Sequence, residues 1–167
     1  MATILQNIWP EDAQFLAADF PQYIRVLGTN FPVTVLAFDQ TTVENAFFKL
    51  QANAYGSGNL TLRWYWTANT ATTGDVVLGA QLACITPGVD SQDVTTKAFA
   101  TTQTVTGSHL GTTARRIMVT TLTITNLDSI ANGDNLWLRI YRDAGAGGDT
   151  MADDMWWIGG RLEYSDT

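Results

Sequence analysis

From Tyr23 onward the chain is built of short runs in which apolar and polar residues alternate. Across 59–67, Leu60, Leu62, Trp64 and Trp66 fall on one side, and Thr61, Arg63, Tyr65 and Thr67 on the other. Val76, Leu78, Ala80, Leu82 and Cys84 share one side of the next run. Met118, Leu122 and Ile124 oppose Ile117, Val119, Thr121, Thr123 and Thr125, while Leu136, Leu138 and Ile140 oppose Trp137, Arg139 and Tyr141. Period-two patterning of this kind places one face of a strand in a core and leaves the other to solvent or a partner. The pattern predicts strands near 23–28, 33–39, 43–54, 59–67, 76–85, 97–106, 115–125, 135–142 and 154–164. Clusters rich in Gly, Asn, Asp and Pro separate them, including 56–59, 68–75, 87–93, 107–113, 126–134 and 143–149. Eight or nine short strands with no internal repeat and no linker predict one antiparallel β-sandwich. A jelly roll is the first choice and an immunoglobulin-like sandwich the second.

The first 20 residues break this rhythm. Ile4, Leu5, Ile8 and Trp9 recur at helix-like spacing before Pro10 interrupts them. The expectation is an N-terminal arm or flap over 1–20, as a short helical turn or an extended segment, ahead of a single domain at 21–167. Its apolar side chains must cover either their own core or a neighbouring subunit.

Composition sharpens the fold. The chain holds 25 threonines but only three glutamates and two lysines, so it lacks the residues that build solvent-facing helices and is rich in those that suit strands. Charge narrows the partners. Nine basic residues against 16 acidic ones give a net charge of −7, which disfavours phosphate backbones and anionic lipid. No apolar run is long enough to span a bilayer as a helix. The opening residues lack the basic and apolar regions of a secretory signal, and a lone Cys84 permits no intrachain disulfide, so folding in a reducing compartment is expected.

Candidate chemistry is sparse. His109 follows Ser108 within a predicted loop, but no nucleophile elbow surrounds them, and a surface histidine is expected. Cys84 lies on an apolar strand face and reads as a core residue. One His and one Cys cannot make a zinc site. The Gly-rich loop 143–149 and the acids after it offer Asp143, Asp149 and Asp153 to a calcium ion, although a salt bridge from Arg142 to Asp149 or Asp153 is the stronger expectation and no cofactor is predicted. No pair of carboxylates stands out for glycoside hydrolysis, so no enzyme is expected. Aromatic residues remain. Tyr65, Trp137, Tyr141 and Trp156 sit where one ring of each strand must leave the core, suited to a subunit interface or to stacking on a sugar.

From about Val33 to Tyr164 the chain resembles small virion structural proteins of tailed bacteriophages. The resemblance rests on the opening FPVTVLAFDQTTVENAFFKL, the Ala71–Val77 turn, Asn132-Gly133-Asp134, Arg142-Asp143, Asp149-Thr150 and the closing Tyr164. It implies a jelly-roll decoration or cement protein, typically trimeric, bound to the major capsid protein on the outer head surface and made in the bacterial host's cytoplasm. Ile4, Leu5, Ile8 and Trp9 are then the candidate capsid-binding anchors. The alternative is a tail or receptor-binding component, or a carbohydrate-binding jelly roll.

Overall fold

The computed structural model describes residues 2–167. Ten strands follow one another: β1 (Thr3–Ile8), β2 (Gln22–Leu27), β3 (Pro32–Phe38), β4 (Asn45–Gln51), β5 (Leu60–Ala68), β6 (Thr73–Ile85), β7 (Gln103–Leu110), β8 (Met118–Ile124), β9 (Asn135–Arg142) and β10 (Met155–Ser165). The only helical element among the described residues is one 3-10 turn at Pro10–Asp12. β2, β3, β10, β5 and β8 line up in one sheet, with β1 also paired to β10, while β4, β9, β6 and β7 form the other. Pairing is antiparallel throughout.

The strand partners reveal how the chain is wound. β6 pairs with β7, β5 with β8, β4 with β9 and β3 with β10. This is one long antiparallel ribbon, closed at β6–β7 and rolled so that successive pairs fall alternately in the two sheets. It is a jelly roll. The inner faces meet over a core led by Trp64, Trp66, Trp157, Phe38, Phe48 and Leu82. Every inward position predicted on β5, β6 and β9 is buried. The fold class is therefore as the alternation indicated.

Three features differ from the sequence expectation. The N-terminal segment contributes a tenth strand: β1 runs antiparallel to β10 from Thr3↔Ser165 to Ile8↔Gly160. Its helix-like spacing is coincidental, because Ile4 and Ile8 alternate inward with Gln6, and Ile8 is buried in the core. Residues after the 3-10 turn then cross to the second sheet, where Gln14 bridges Phe47 and the Asp19 carbonyl accepts the Asn45 amide.

The second difference is at β7, which spans 103–110 rather than 97–106. Phe99 mimicked a strand position, but it packs on Phe47 with ring centroids 6.0 Å apart, in a loop laid across the four-stranded sheet. Gly107, expected to start a turn, lies within β7, where any side chain would collide with the Thr120 hydroxyl. The turn comes later, at Gly111, whose φ is 66°.

His109 is the third. It is buried in β7, not exposed in a loop. Its Nδ1 donates to the Thr72 carbonyl, its ring lies 6.0 Å from that of Trp66, and Nε2 has no partner among the described residues.

Candidate functional sites on two unlike sheet faces

The outer face of the six-stranded sheet is apolar. Register decides which residues stand on it. Tyr65 lies opposite Val119 on β8, and Trp156 lies opposite Ala37 on β3 and Thr67 on β5. Ile24 and Val26 of β2 pair with Val35 and Val33, on the same side. Trp156, Val35 and Ala37 form a small second core there, with Ile24, Val26, Val33 and Ile158 packed around it. A groove of about 360 Å³ runs beside it, lined by Val26, Phe31, Val33, Ile117, Trp156 and Ile158 among others. Arg115 closes one end, its guanidinium 5.2 Å from the Trp156 ring and held by two hydrogen bonds to Asn69 Oδ1.

β1 extends this face. Leu5 sits opposite Glu163 and points outward, while Trp9 lies over Gly159, where any side chain would meet its ring. The charged margin is compact. Glu163 accepts hydrogen bonds from Arg63 and Arg161, which hold its carboxyl below the usual carboxylate range.

The outer face of the four-stranded sheet has different chemistry. Asn45, Phe47, Lys49 and Gln51 project from β4, and Asn135, Trp137, Arg139 and Tyr141 from β9, as their register with the inward residues requires. Lys49 stands directly opposite Trp137, its ammonium 5.8 Å from the ring. A groove of about 340 Å³ lies above, with Trp137 and Phe47 in its lining. The segment Gln14–Leu16 forms one bank, and the loop bearing Val94, Thr95, Lys97 and Phe99 forms the other.

The sequence-nominated residues thus divide. Leu5, Trp9, Tyr65 and Trp156 come together on the apolar face. Ile4 and Ile8 do not join them: Ile8 is buried in the subunit's own core, which removes it as a capsid anchor, and Ile4 lies half-buried against that core. Trp137 belongs to the opposite face. Tyr141 is a further correction, since it is buried, its hydroxyl hydrogen-bonds Thr102, and its ring covers Gly79, so neither a subunit nor a sugar can reach it. Phe31, Phe47, Phe99 and Lys49 were not nominated. The adjacent pair Phe47-Phe48 did carry a signal, because only one ring of such a pair can face the core.

Several polar groups bind one another to hold the fold together. Arg142 and Asp149 form a buried ion pair at 2.7 Å, and Arg142 also donates to the carbonyls of Met151 and Asp153. Asp153 instead binds Thr70 through its side chain. With Asp149 so engaged, no group of three His, Cys, Asp or Glu suited to a metal occurs among the described residues, the suggested Asp143, Asp149 and Asp153 included. Burial pushes the Cys84 thiol up to about 12. At neutral pH it stays protonated and inert.

No family model matches the chain, and no curated protein matches it by sequence. Among solved structures, it is similar to a carbohydrate-binding module specific for non-crystalline cellulose, CBM28 (TM-score 0.53, 9% identity, 93% of this chain and 89% of that one). A mannan-recognising module, TmCBM27, superposes with a TM-score of 0.39 at 12% identity, covering 96% of this chain and 88% of that one. A protein of infectious bursal disease virus, Gt strain, gives 0.38 at 16% identity, covering 97% of this chain and 32% of that one. The first of these likenesses supports the jelly-roll fold. The other two superpose too loosely to bear on the argument.

Proposed function

We propose that this chain is a non-enzymatic structural component of a tailed-phage virion, a decoration protein that acts as a homotrimer on the outer surface of the head. The observation that supports this reading is the apolar outer face of the six-stranded sheet. Leu5, Trp9, Phe31, Ile117 and Val119 are 53%, 49%, 68%, 59% and 55% exposed. For side chains of their size this amounts to roughly 600 Å² of exposed apolar-residue surface spread over one sheet face, approaching the ~800 Å² each partner buries in a standard interface. An uncovered sheet face of this kind is an aggregation hazard unless another protein occupies it.

Function then follows from area and number. Each trimer bridges neighbouring copies of the major capsid protein, and binding only to the assembled shell stabilises it by mass action repeated over many sites. The test is co-sedimentation with expanded heads assembled without this protein. Saturable binding and a higher temperature of shell disruption are expected. Heads that neither bind it nor gain stability contradict the role.

A second reading is favoured by the groove over Trp137. A jelly roll shared with a carbohydrate-binding module, an indole set into a sheet face, and flanking amide and basic side chains together suit a sugar chain. On that reading the chain also recognises a glycan, as a tail or receptor-binding jelly roll does, and the apolar face still carries assembly.

A further inference from the structure

We infer that the Trp137 groove binds a glycan bearing carboxylate groups, such as a uronate-containing polysaccharide. The inference rests on the second reading above, that this groove takes carbohydrate, and adds the class of sugar. Its first support is charge. The chain is strongly acidic and has only two lysines, yet Lys97 lines this groove and Lys49 stands 5.8 Å from the Trp137 ring in its lining. Arg139 projects from the same face of β9, two residues beyond Trp137.

Not all of this charge is available. Lys97 is paired with Asp128 at 2.9 Å. Lys49 and Arg139 have no carboxylate within salt-bridge distance among the described residues, and neither β4 nor β9 contains an Asp or Glu. Two cations without a carboxylate partner therefore flank one indole on a molecule whose net charge is −7.

The second support is preorganisation. Arg139 donates from Nε and Nη2 to Asn45 Oδ1 at 2.9 and 2.6 Å, and from Nη1 to Gln81 Oε1. Its guanidinium also lies 4.9 Å from the Tyr141 ring. A guanidinium held this way loses little entropy on meeting a carboxylate, which it recognises better than a lysine does. Trp137 offers the C–H face of a pyranose a flat apolar surface, and Lys49, opposite it in register, stands ready for a carboxylate on the same ring or the next.

An acidic peptide fits less well. Extended peptides most readily add to a free sheet edge. The β4 edge is already occupied by the Gln14–Phe47 bridge and the Asn45–Asp19 hydrogen bond. What remains open is the face, where ring stacking and point charges are the means of recognition.

The test is isothermal titration of the full chain with an oligogalacturonate, the neutral oligogalactose of equal length, and polyglutamate. The uronate chain is expected to bind at least about tenfold more tightly than the neutral one, with affinity that falls as salt rises. Trp137→Ala should abolish binding, and Lys49→Gln should weaken the uronate about tenfold while weakening the neutral sugar by much less. Lys49 lies at the surface, so its replacement keeps the test valid if the Trp137 variant fails to fold. Equal binding of both sugars would overturn the acidic preference and leave the carbohydrate reading standing. No binding of either would overturn both. Polyglutamate binding as tightly as the uronate would show that the groove reads charge alone, and the proposal would fail.

Discussion

At the scale of single residues, Arg142 shows how a polar group is made tolerable inside this sandwich. Its guanidinium is fully buried, and each of its bonds goes to Asp149 or to a carbonyl of the segment that follows. Asp149 in turn accepts the Val77 amide, so the pair ties the β9–β10 connection to β6. Removing one partner strands a buried charge. Arg142→Ala is expected to cost about 3–5 kcal/mol in urea unfolding, far more than loss of a half-buried surface pair such as Arg63–Glu163. A loss below about 1 kcal/mol would mean that Asp149 finds water or another donor. This ion pair was legible in the sequence, because opposite charges flanking a tight Gly-rich loop have few other places to go. His109 was not. Its burial depends on Thr72 and Trp66, which are remote in sequence and meet it only through the pairing of β6 with β7 and the closure of the two sheets.

Among the elements, β1 is the one whose character sequence patterns concealed. Six residues ending at a proline can present apolar positions at spacings that fit either a helix or a strand, and only a vacant stretch of the β10 edge decides. β3 pairs with β10 over 155–157, leaving 160–165 free for β1. The strand is therefore part of the sandwich, and its two sides should respond differently to substitution. Ile8→Ala is expected to destabilise the subunit by about 2–4 kcal/mol, as for a buried aliphatic residue, whereas Leu5→Ala should leave the isolated subunit within about 0.5 kcal/mol and act on assembly instead. Thermal and urea unfolding of the two variants checks this. Equal, small effects would return residues 2–9 to the status of a detachable arm. β7 teaches the converse lesson. The Phe99 segment alternates like a strand but serves as a loop laid over the other sheet, and local pattern cannot separate a side chain that packs beside a sheet from one that belongs to it.

For the molecule as a whole, alternation was enough to identify two layers and their inward faces, since each strand carries its own record of what is buried. It could not say which outward faces lie side by side. Neighbours in the six-stranded sheet come from all parts of the chain, so the gathering of Leu5, Trp9, Tyr65, Val119 and Trp156 on one surface emerges only from the rolled topology. The same topology separates that surface from the Trp137 groove by the full thickness of the sandwich. One face can therefore be buried in an assembly while the other stays open to a ligand.

Assembly through the apolar face must show in the solution mass. Light scattering coupled to size exclusion, at low and high salt, should give three times 18.2 kDa in both, because an interface of apolar side chains is not screened by ions. Replacing Ile117 and Val119 together with aspartate should reduce that mass to one chain without unfolding it. A wild-type protein that stays monomeric at high concentration, with this face bare and the protein soluble, would contradict the account.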